Sequence, residues 1–396
     1  MGFHAFTHTT ANRAALHGRR CSFRTRRHSH ERLGAGSGTA GESDQSSVRQ
    51  SEGALAAGAR GQAARSGEEG GRDTLELYTS LSSLITRNLL PAFEKAYPGI
   101  KVNLYRASSE TLTQRILSEV SAGVAGPDVI ETNGTEMSFF QNKKNVLVPY
   151  RQSPYAAGIP KRYQFDTFTA ARLEAFVTAW NTNLVPTGQQ PKSYTDLANP
   201  RWAGKLSMEP GDVDWFAGLY THLEQQQLAA LKKVTSPAAK KKQLAKVRRN
   251  LDIVFERMAK NAQITSGHTT QATLLAAGQF AVVVSAHAQS VEQLQARKAP
   301  VTFGPPFVNP VLIRPQGLGI SYRLRHPATA LLFYDWMLSP AGQQVLKDNG
   351  SEPARVGFDD VALNGSVKVQ MDLRPIIANH GAWAKKYEAI LRNAKS

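Results

Sequence analysis

Apolar and polar positions change their spacing repeatedly between residues 75 and 140. Short stretches at 75–79, 100–105 and 128–131 carry strand-forming apolar residues in patterns typical of β-strands. After each stretch, apolar residues recur every three or four positions, which predicts a helix. The order β-α-β-α-β-α predicts an α/β fold with a mostly parallel sheet flanked by helices.

Two loops in this region follow the carboxyl ends of predicted strands, where ligands bind in parallel sheets. Loops 79–83 and 131–135 are rich in hydroxyl, amide and glycine residues. The helices that follow would add backbone N–H donors and the positive ends of their dipoles. An alternative interpretation is that these residues only form turns and caps. The predicted ligand-binding residues here are Ser80, Ser82, Ser83, Asn133 and Gly134.

The rest of the chain continues the alternation less regularly. Apolar runs predict strands, which lie at 175–181, 205–208, 280–284 and 317–321. Residues 223–262 are strongly helical in their spacing, and helices are also predicted at 271–277 and 328–338. The basic stretch 240–249 predicts a solvated helix face. A nucleic-acid patch is the alternative, but no aromatic residues interleave there for base stacking.

An acidic turn follows the predicted strand at 205–208. It contains Asp212 and Asp214 beside Trp215. The two aspartates could bind a cation, an ammonium group or sugar hydroxyls, and the predicted ligand-binding residues here are Asp214 and Trp215. Helix capping and the helix dipole explain an acidic turn before a helix equally well, so both interpretations stay open.

Small polar residues precede the predicted helix at 271–277 and could cradle an anion through backbone N–H groups. They are Ser266, Gly267, Thr269 and Thr270. His287, just beyond the strand at 280–284, could ligate a metal or contact an anion. The alternative is a structural histidine beside an apolar strand.

Composition divides the 396 residues, which carry a formal net charge of +17, into two parts. Residues 1–72 contain 11 Arg, 12 Gly and no Lys, together with the single cysteine, Cys21. This segment cannot bury enough apolar surface to fold, so we expect a disordered tail. Its Arg-rich, Lys-free composition also fits a spurious N-terminal extension. It shows no apolar signal-peptide core.

The remaining residues, 73–396, are basic in their own right, but they exclude several classes of protein. One cysteine allows neither an internal disulfide framework nor a cysteine-rich metal site. No apolar stretch approaches the roughly 18 residues that a spanning helix needs. The chain has no nucleophile elbow, P-loop, HExxH motif or cysteine nucleophile after residue 72. We therefore expect no enzyme, although an enzyme on a two-lobed α/β fold remains the alternative.

Several sequence segments resemble a known family. The most specific are 191–197, reading PKSYTDL, and 200–205, reading PRWAGK. They resemble bacterial extracellular solute-binding proteins of ABC importers, in the subgroup of ferric-iron, thiamine and phosphonate-type receptors. The resemblance covers about residues 74–358. The other matching segments are 75–80, 125–129, 176–186, 266–278 and 326–343.

The resemblance implies a type II periplasmic-binding-protein-like fold, with two α/β lobes joined by a β-strand hinge. The first lobe would contain 73–175 and 308–349, and the second 176–307 and 350–396. A solute would bind in the cleft between the lobes, and the closed form would deliver it to an ABC permease in the inner membrane. The implied protein is periplasmic and monomeric, requires no cofactor and binds no nucleic acid.

The solute does not follow from the resemblance alone. Ferric-iron receptors of this kind place two adjacent tyrosines after the strand that matches 280–284, but this chain continues with Ser285, Ala286 and His287. Without two phenolates, direct Fe³⁺ ligation of that type is in doubt. Because 73–396 is basic, we expect an anion or a metal chelate. A ferric-iron or thiamine receptor of the same family is the alternative.

Overall fold

One mixed β-sheet runs through the computed structural model, which describes residues 73–231, 234–358 and 362–392. The predicted tail at 1–72, including Cys21, lies outside the described residues. The strands are β1 (Asp73–Thr79), β2 (Ile100–Arg106), β3 (Val129–Asn133), β4 (Leu147–Val148), β5 (Phe168–Asn181), β6 (Leu206–Met208), β7 (Ala262–Ile264), β8 (Val282–His287), β9 (Val301–Thr302), β10 (Val311–Ser321), β11 (Glu352–Pro353) and β12 (Lys368–Gln370).

Helices cover both faces of this sheet. They are α1 (Ser83–Ala96), α2 (Ser109–Ala122), α3 (Gly134–Gln141), α4 (Tyr194–Leu197), α5 (Val213–Ala230), α6 (Pro237–Lys260), α7 (His268–Ala276), α8 (Ala288–Ala296), α9 (Pro327–Leu338), α10 (Pro340–Asp348), α11 (Leu373–Ala378) and α12 (His380–Arg392). No helix within the described residues is both long and apolar enough to cross a membrane.

The sheet has the strand order β2-β1-β3-β10-β5-β8-β6-β7. The pairs among β2, β1 and β3 are parallel, and so are those among β8, β6 and β7. Between these two parallel groups lie the long strands β5 and β10, which pair antiparallel with each other and with their outer neighbours. The sheet therefore has two parallel halves joined by two central antiparallel strands.

The alternating region near the start of the described chain folds as its pattern predicts. The strands predicted at 75–79, 100–105 and 128–131 correspond to β1, β2 and β3, and each is followed by its helix. Leu75 and Leu77 of β1 are fully buried, as their alternation requires. Ile85, Leu89 and Phe93 form the buried face of α1.

The segment 223–262, predicted to be strongly helical, is helical over most of its length. The structure contains two helices, because α5 ends at Ala230 and α6 begins at Pro237. Pro237 occupies the first position of α6, where a proline's missing N–H costs nothing. The Ser236 side chain accepts a hydrogen bond from the Ala239 backbone N–H and caps this new start. The Ser-Pro pair is the signal that divides the segment.

The two central strands are buried along their whole length. Glycines at 317 and 319 let β10 pass close to α3, since a Cβ at either position would overlap the Met137 side chain. The register pairs Arg314 of β10 with Glu174 of β5. Arg172 and Glu174 of β5 and Arg314 of β10 are therefore buried in the sheet, where charged side chains are rare unless they have a partner of opposite charge.

Candidate functional site

A cleft of about 560 Å³ lies at the carboxyl ends of the parallel strands of both halves. The loops after β1, β2 and β3 form one wall, and those after β6, β7 and β8 form the other. Arg172 and Glu174 of β5 and Arg314 of β10 line it between these walls. The topology thus gathers the carboxyl ends of six strands around one space, which is where α/β sheets bind ligands.

Eight of the twelve predicted ligand-binding residues line this cleft, and the structure brings them together from opposite walls. They are Ser80, Ser82, Asn133, Asp214, Ser266, Gly267, Thr269 and His287. The hydroxyl oxygens of Ser80 and Ser82 have no hydrogen-bond partner among the described residues, although both are shielded from solvent. These two hydroxyls therefore have unused hydrogen-bonding capacity within the lining of the cleft.

The other four predicted residues do not line the cleft. Ser83 and Thr270 are exposed on the first turns of α1 and α7. Trp215 is fully buried and packs against Phe255 in the core of the second half. Gly134 lies against the carbonyl oxygen of Pro315, and a Cβ there would approach that oxygen to 2.4 Å. The small size of Gly134 serves helix–strand packing.

Six helix N-termini converge on the cleft, which is bordered by the starts of α1, α2, α3, α5, α7 and α8. Of these six starts, only that of α2 has an N-cap side chain that accepts a hydrogen bond, the Ser108 hydroxyl accepting from the Thr111 N–H. The N-cap side chains of the other five form no capping hydrogen bond, although the Asp214 carboxylate accepts one from the Trp215 N–H in the first turn of α5. Uncapped N–H groups and aligned helix dipoles create positive potential in this space.

Arg314 connects the two walls. Its guanidinium lies 2.9 Å from a carboxylate oxygen of Asp214 on α5. The same Asp214 oxygen accepts a hydrogen bond from the Thr135 hydroxyl of α3, at 2.7 Å. Burial alone would raise the pKa of Asp214, but Arg314 and Thr135 hold it below its usual value. The Nε of Arg314 has no partner among the described residues and remains available.

Arg172 lines the cleft from β5, as Arg314 does from the neighbouring strand β10. Its Nε lies 3.0 Å from Glu131 of β3, and a terminal nitrogen lies 3.5 Å from Glu174. Glu131 also accepts a hydrogen bond from the Thr79 hydroxyl. Burial raises the pKa of Glu174, although Arg172 and Arg314 oppose the shift. The two cleft arginines on the central strands are therefore buried with carboxylate partners.

Two histidines stack in the second wall, with 3.7 Å between the ring centroids of His268 and His287. Burial lowers the pKa of His268, but Asp212, whose carboxylate lies 3.0 Å from its Nε2, more than compensates and leaves it raised. Burial lowers the pKa of His287 well below its usual value, and His268 and Arg314 lower it further. The pair therefore favours one charged and one neutral imidazole.

Two more carboxyl groups in the cleft have raised pKa values. Loss of water contact raises the pKa of Glu136 to about 7, against the opposing effect of Arg314. Burial also raises the pKa of Glu209, whose carboxylate accepts hydrogen bonds from the backbone N–H groups of Gly211 and Gly267. The cleft thus carries less negative charge near neutral pH than its number of carboxyl groups implies.

Sequence reasoning missed the central arginines and the His268–Asp212 pair. Arg172 and Arg314 are single cations within apolar strands. That sequence pattern does not predict whether such a cation is buried or which carboxylate it contacts. His268 lies between the predicted residues Gly267 and Thr269, so the motif contained it. Within the described residues, no group of three or more His, Cys, Asp or Glu side chains is placed to hold a metal ion.

Comparison with known proteins agrees with this arrangement. The family model described as "Bacterial extracellular solute-binding protein" matches residues 76–344. A curated relative, the Fe(3+)-binding periplasmic protein of Serratia marcescens, is 25% identical over 149 residues. That match spans 37% of this chain and 43% of the relative's length.

Solved structures reproduce the fold. The iron-bound HitA structure from Pseudomonas aeruginosa superposes with a TM-score of 0.65 and 16% identity, covering 80% of this chain and 99% of that chain. AfuA from Actinobacillus pleuropneumoniae, solved with bound fructose-6-phosphate, gives a TM-score of 0.65 and 18% identity over 81% of this chain and 99% of that chain. The predicted two-lobed α/β fold class is confirmed, while the predicted lobe boundaries stay a prediction.

Proposed function

Because the chain belongs to the bacterial extracellular solute-binding proteins, we propose that it captures a small anionic solute in the cleft and delivers it to an ABC permease. The family consists of binding proteins rather than enzymes, and we assign no catalytic step to this cleft. Periplasmic location and action as a monomer are part of the same proposal. Hinge rotation about the central strands would close the cleft on the solute.

Five uncapped helix N-termini facing one cleft are the observation that carries the anionic solute. A phosphonate, phosphate ester, carboxylate or metal chelate would accept hydrogen bonds from their N–H groups. The unpartnered Nε of Arg314 and hydroxyls of Ser80 and Ser82 add further donors. Glu136 opposes an anion less than an ordinary carboxylate would, because its pKa is about 7.

A cationic solute of the thiamine type is the second candidate, favoured by the excess of carboxyl groups over arginines on the cleft wall. The carboxyl residues are Glu110, Glu136, Glu174, Glu209, Asp212 and Asp214. Direct ferric-iron binding, as the names of the similar proteins from Serratia and Pseudomonas state for those proteins, has less support here. The described cleft lacks a cluster of three metal-ligating side chains, whereas a ferric chelate would present anionic oxygens to the helix N-termini.

The test is a thermal-shift and calorimetry panel on the full chain with methylphosphonate, a sugar phosphate, ferric citrate, ferric chloride and thiamine. We expect binding of an anionic member and a decrease in the radius of gyration measured by X-ray scattering. Ser80→Ala should weaken that binding by about fivefold, the value of one neutral hydrogen bond. Thr270→Ala is the matched control and should change nothing, because Thr270 lies outside the cleft. Thiamine binding alone, or equal effects of the two substitutions, would reject the anion site.

A further inference from the structure

Helix α6 exposes a line of five basic residues and one isoleucine, which we call the basic stripe. Its members are spaced three or four positions apart, so they lie on one face of the helix. The side chains are exposed, and the apolar one near the middle, Ile253, is 39% exposed. The members of the basic stripe are Lys242, Lys246, Arg249, Ile253, Arg257 and Lys260.

The five cations of the basic stripe form no ion pair with any residue that the structure describes. Nearby charges behave differently, since Arg248 pairs with Glu224, and Lys386 pairs with Asp252. Glu256, at the edge of the stripe, is half-buried and is the one acidic residue beside it on the outer side of the helix. The stripe therefore presents concentrated positive charge to solvent.

The opposite face of α6 is fixed in the protein interior. Val247, Leu251 and Phe255 are buried in the hydrophobic core of the second half. The helix therefore cannot turn its apolar face outward to insert into a bilayer or a partner's groove. Any partner must be attracted to the stripe as it stands, by charge.

The shape of the stripe favours a flat partner. From 242 to 260 it extends about 27 Å along one straight helix, at 1.5 Å per residue. No aromatic residue lies among its members to stack on bases, as single-stranded nucleic acid would require. We propose that the basic stripe docks this protein, reversibly and by charge, on the surface of an anionic phospholipid bilayer. This docking does not depend on which solute the cleft holds.

The test is co-sedimentation of the full chain with vesicles of phosphatidylcholine alone or mixed with phosphatidylglycerol, at low and high salt. We expect binding only to the anionic vesicles, and loss of binding near 0.5 M salt because surface charges are then screened within a few ångströms. Neutralising three stripe cations should lower the partition coefficient on the order of a hundredfold. The stripe variant combines Lys242→Gln, Lys246→Gln and Arg249→Gln.

The control variant removes the same charge from exposed positions outside α6, and should lower the partition coefficient by less than about threefold because its sites are scattered. It combines Lys144→Gln, Lys192→Gln and Lys298→Gln. Thermal melting should be unchanged in both variants, because glutamine keeps the helix propensity of α6 and the three control positions are exposed and outside any helix or strand. Equal vesicle binding by the two variants would overturn the proposal. Binding to neutral vesicles would also overturn it. A stripe variant that still binds anionic vesicles like the unsubstituted chain, and loses only binding to duplex DNA, would overturn it as well.

Discussion

The central strands of the cleft and the basic stripe both carry cationic side chains, but these are buried in the cleft and exposed to solvent on the stripe. The side chains of Arg172 and Arg314 are each 6% exposed and contact carboxylates. Lys242, Lys246 and Arg249 are exposed and unpaired among the described residues. Moving a charged side chain out of water costs free energy unless an opposite charge compensates. The buried arginines of the cleft therefore need carboxylate partners, whereas the solvated cations on α6 do not.

This difference separates two kinds of recognition. Partnered, buried cations have fixed positions and can read the shape of a small solute, since their hydrogen bonds point in set directions. Solvated cations along a helix attract any extended negative surface and lose their effect as salt increases. The predictions below test whether burial, rather than charge alone, separates the two regions.

Arg314→Met should produce the largest effect. It leaves Asp214 buried without its cationic partner, which costs about 3–5 kcal/mol of unfolding free energy. Arg249→Met on the stripe should change stability by less than about 0.5 kcal/mol. Urea unfolding measures both. A second variant combining Arg314→Met with Asp214→Leu should recover most of the stability, and similar values for the two single variants would contradict the comparison.

The charge of the cleft should change with pH between 8 and 6. Glu136, whose pKa is about 7, is ionised at the upper limit and protonated at the lower one. Affinity for sulfate, whose charge is constant here, should rise by roughly tenfold as pH falls, because one negative charge disappears from the wall. Calorimetry at both pH values measures this. Glu136→Gln should reduce the pH dependence to the part contributed by His268, which gains positive charge on acidification, and an affinity that falls with acidification would exclude Glu136 as its cause.

The His268–Asp212 pair should give the smallest effect. Because its folded pKa is raised, His268 stabilises the fold fully below its unfolded pKa of about 6.5, and this contribution disappears as pH rises through the folded value. Asp212→Asn should therefore destabilise the protein more at pH 6 than at pH 8.5, by about 1 kcal/mol. Denaturant titrations at each pH provide the check. An effect of Asp212→Asn that is equal at both pH values would show that His268 is neutral in the fold.

The sequence predicts the regular parts of the fold well, because local periodicity determines them. The strand predicted at 317–321 and the helix at 328–338 correspond to β10 and α9. The prediction of β10 is too short, since the strand begins at Val311. Arg314 and Gln316 interrupt the apolar run there, and only pairing with β5 makes these polar residues part of a buried strand.

The sequence predicts a residue of the candidate site only where a single loop between a strand and a helix determines that residue's position. Ser80, Asn133 and Gly267 follow strands and precede helices, so their positions at the cleft follow from local order. Arg172 and Arg314 meet because β5 and β10 pair across more than a hundred residues of chain. No local pattern contains that information. Trp215 illustrates the converse, since its neighbour Asp214 faces the cleft while its own ring enters the core.

The place of β10 between β3 and β5 also sets the order in which the chain can fold. Strands β1, β2 and β3 of the first half are made early in synthesis, but β10, the fourth strand of that half, follows β5 to β9 in the chain. The core of the first half is completed only when β10 pairs with β3, which lies far away in the sequence. Contacts between residues distant in sequence slow folding. A nascent chain of this topology therefore keeps the first half of its sheet incomplete until β10 has been synthesised.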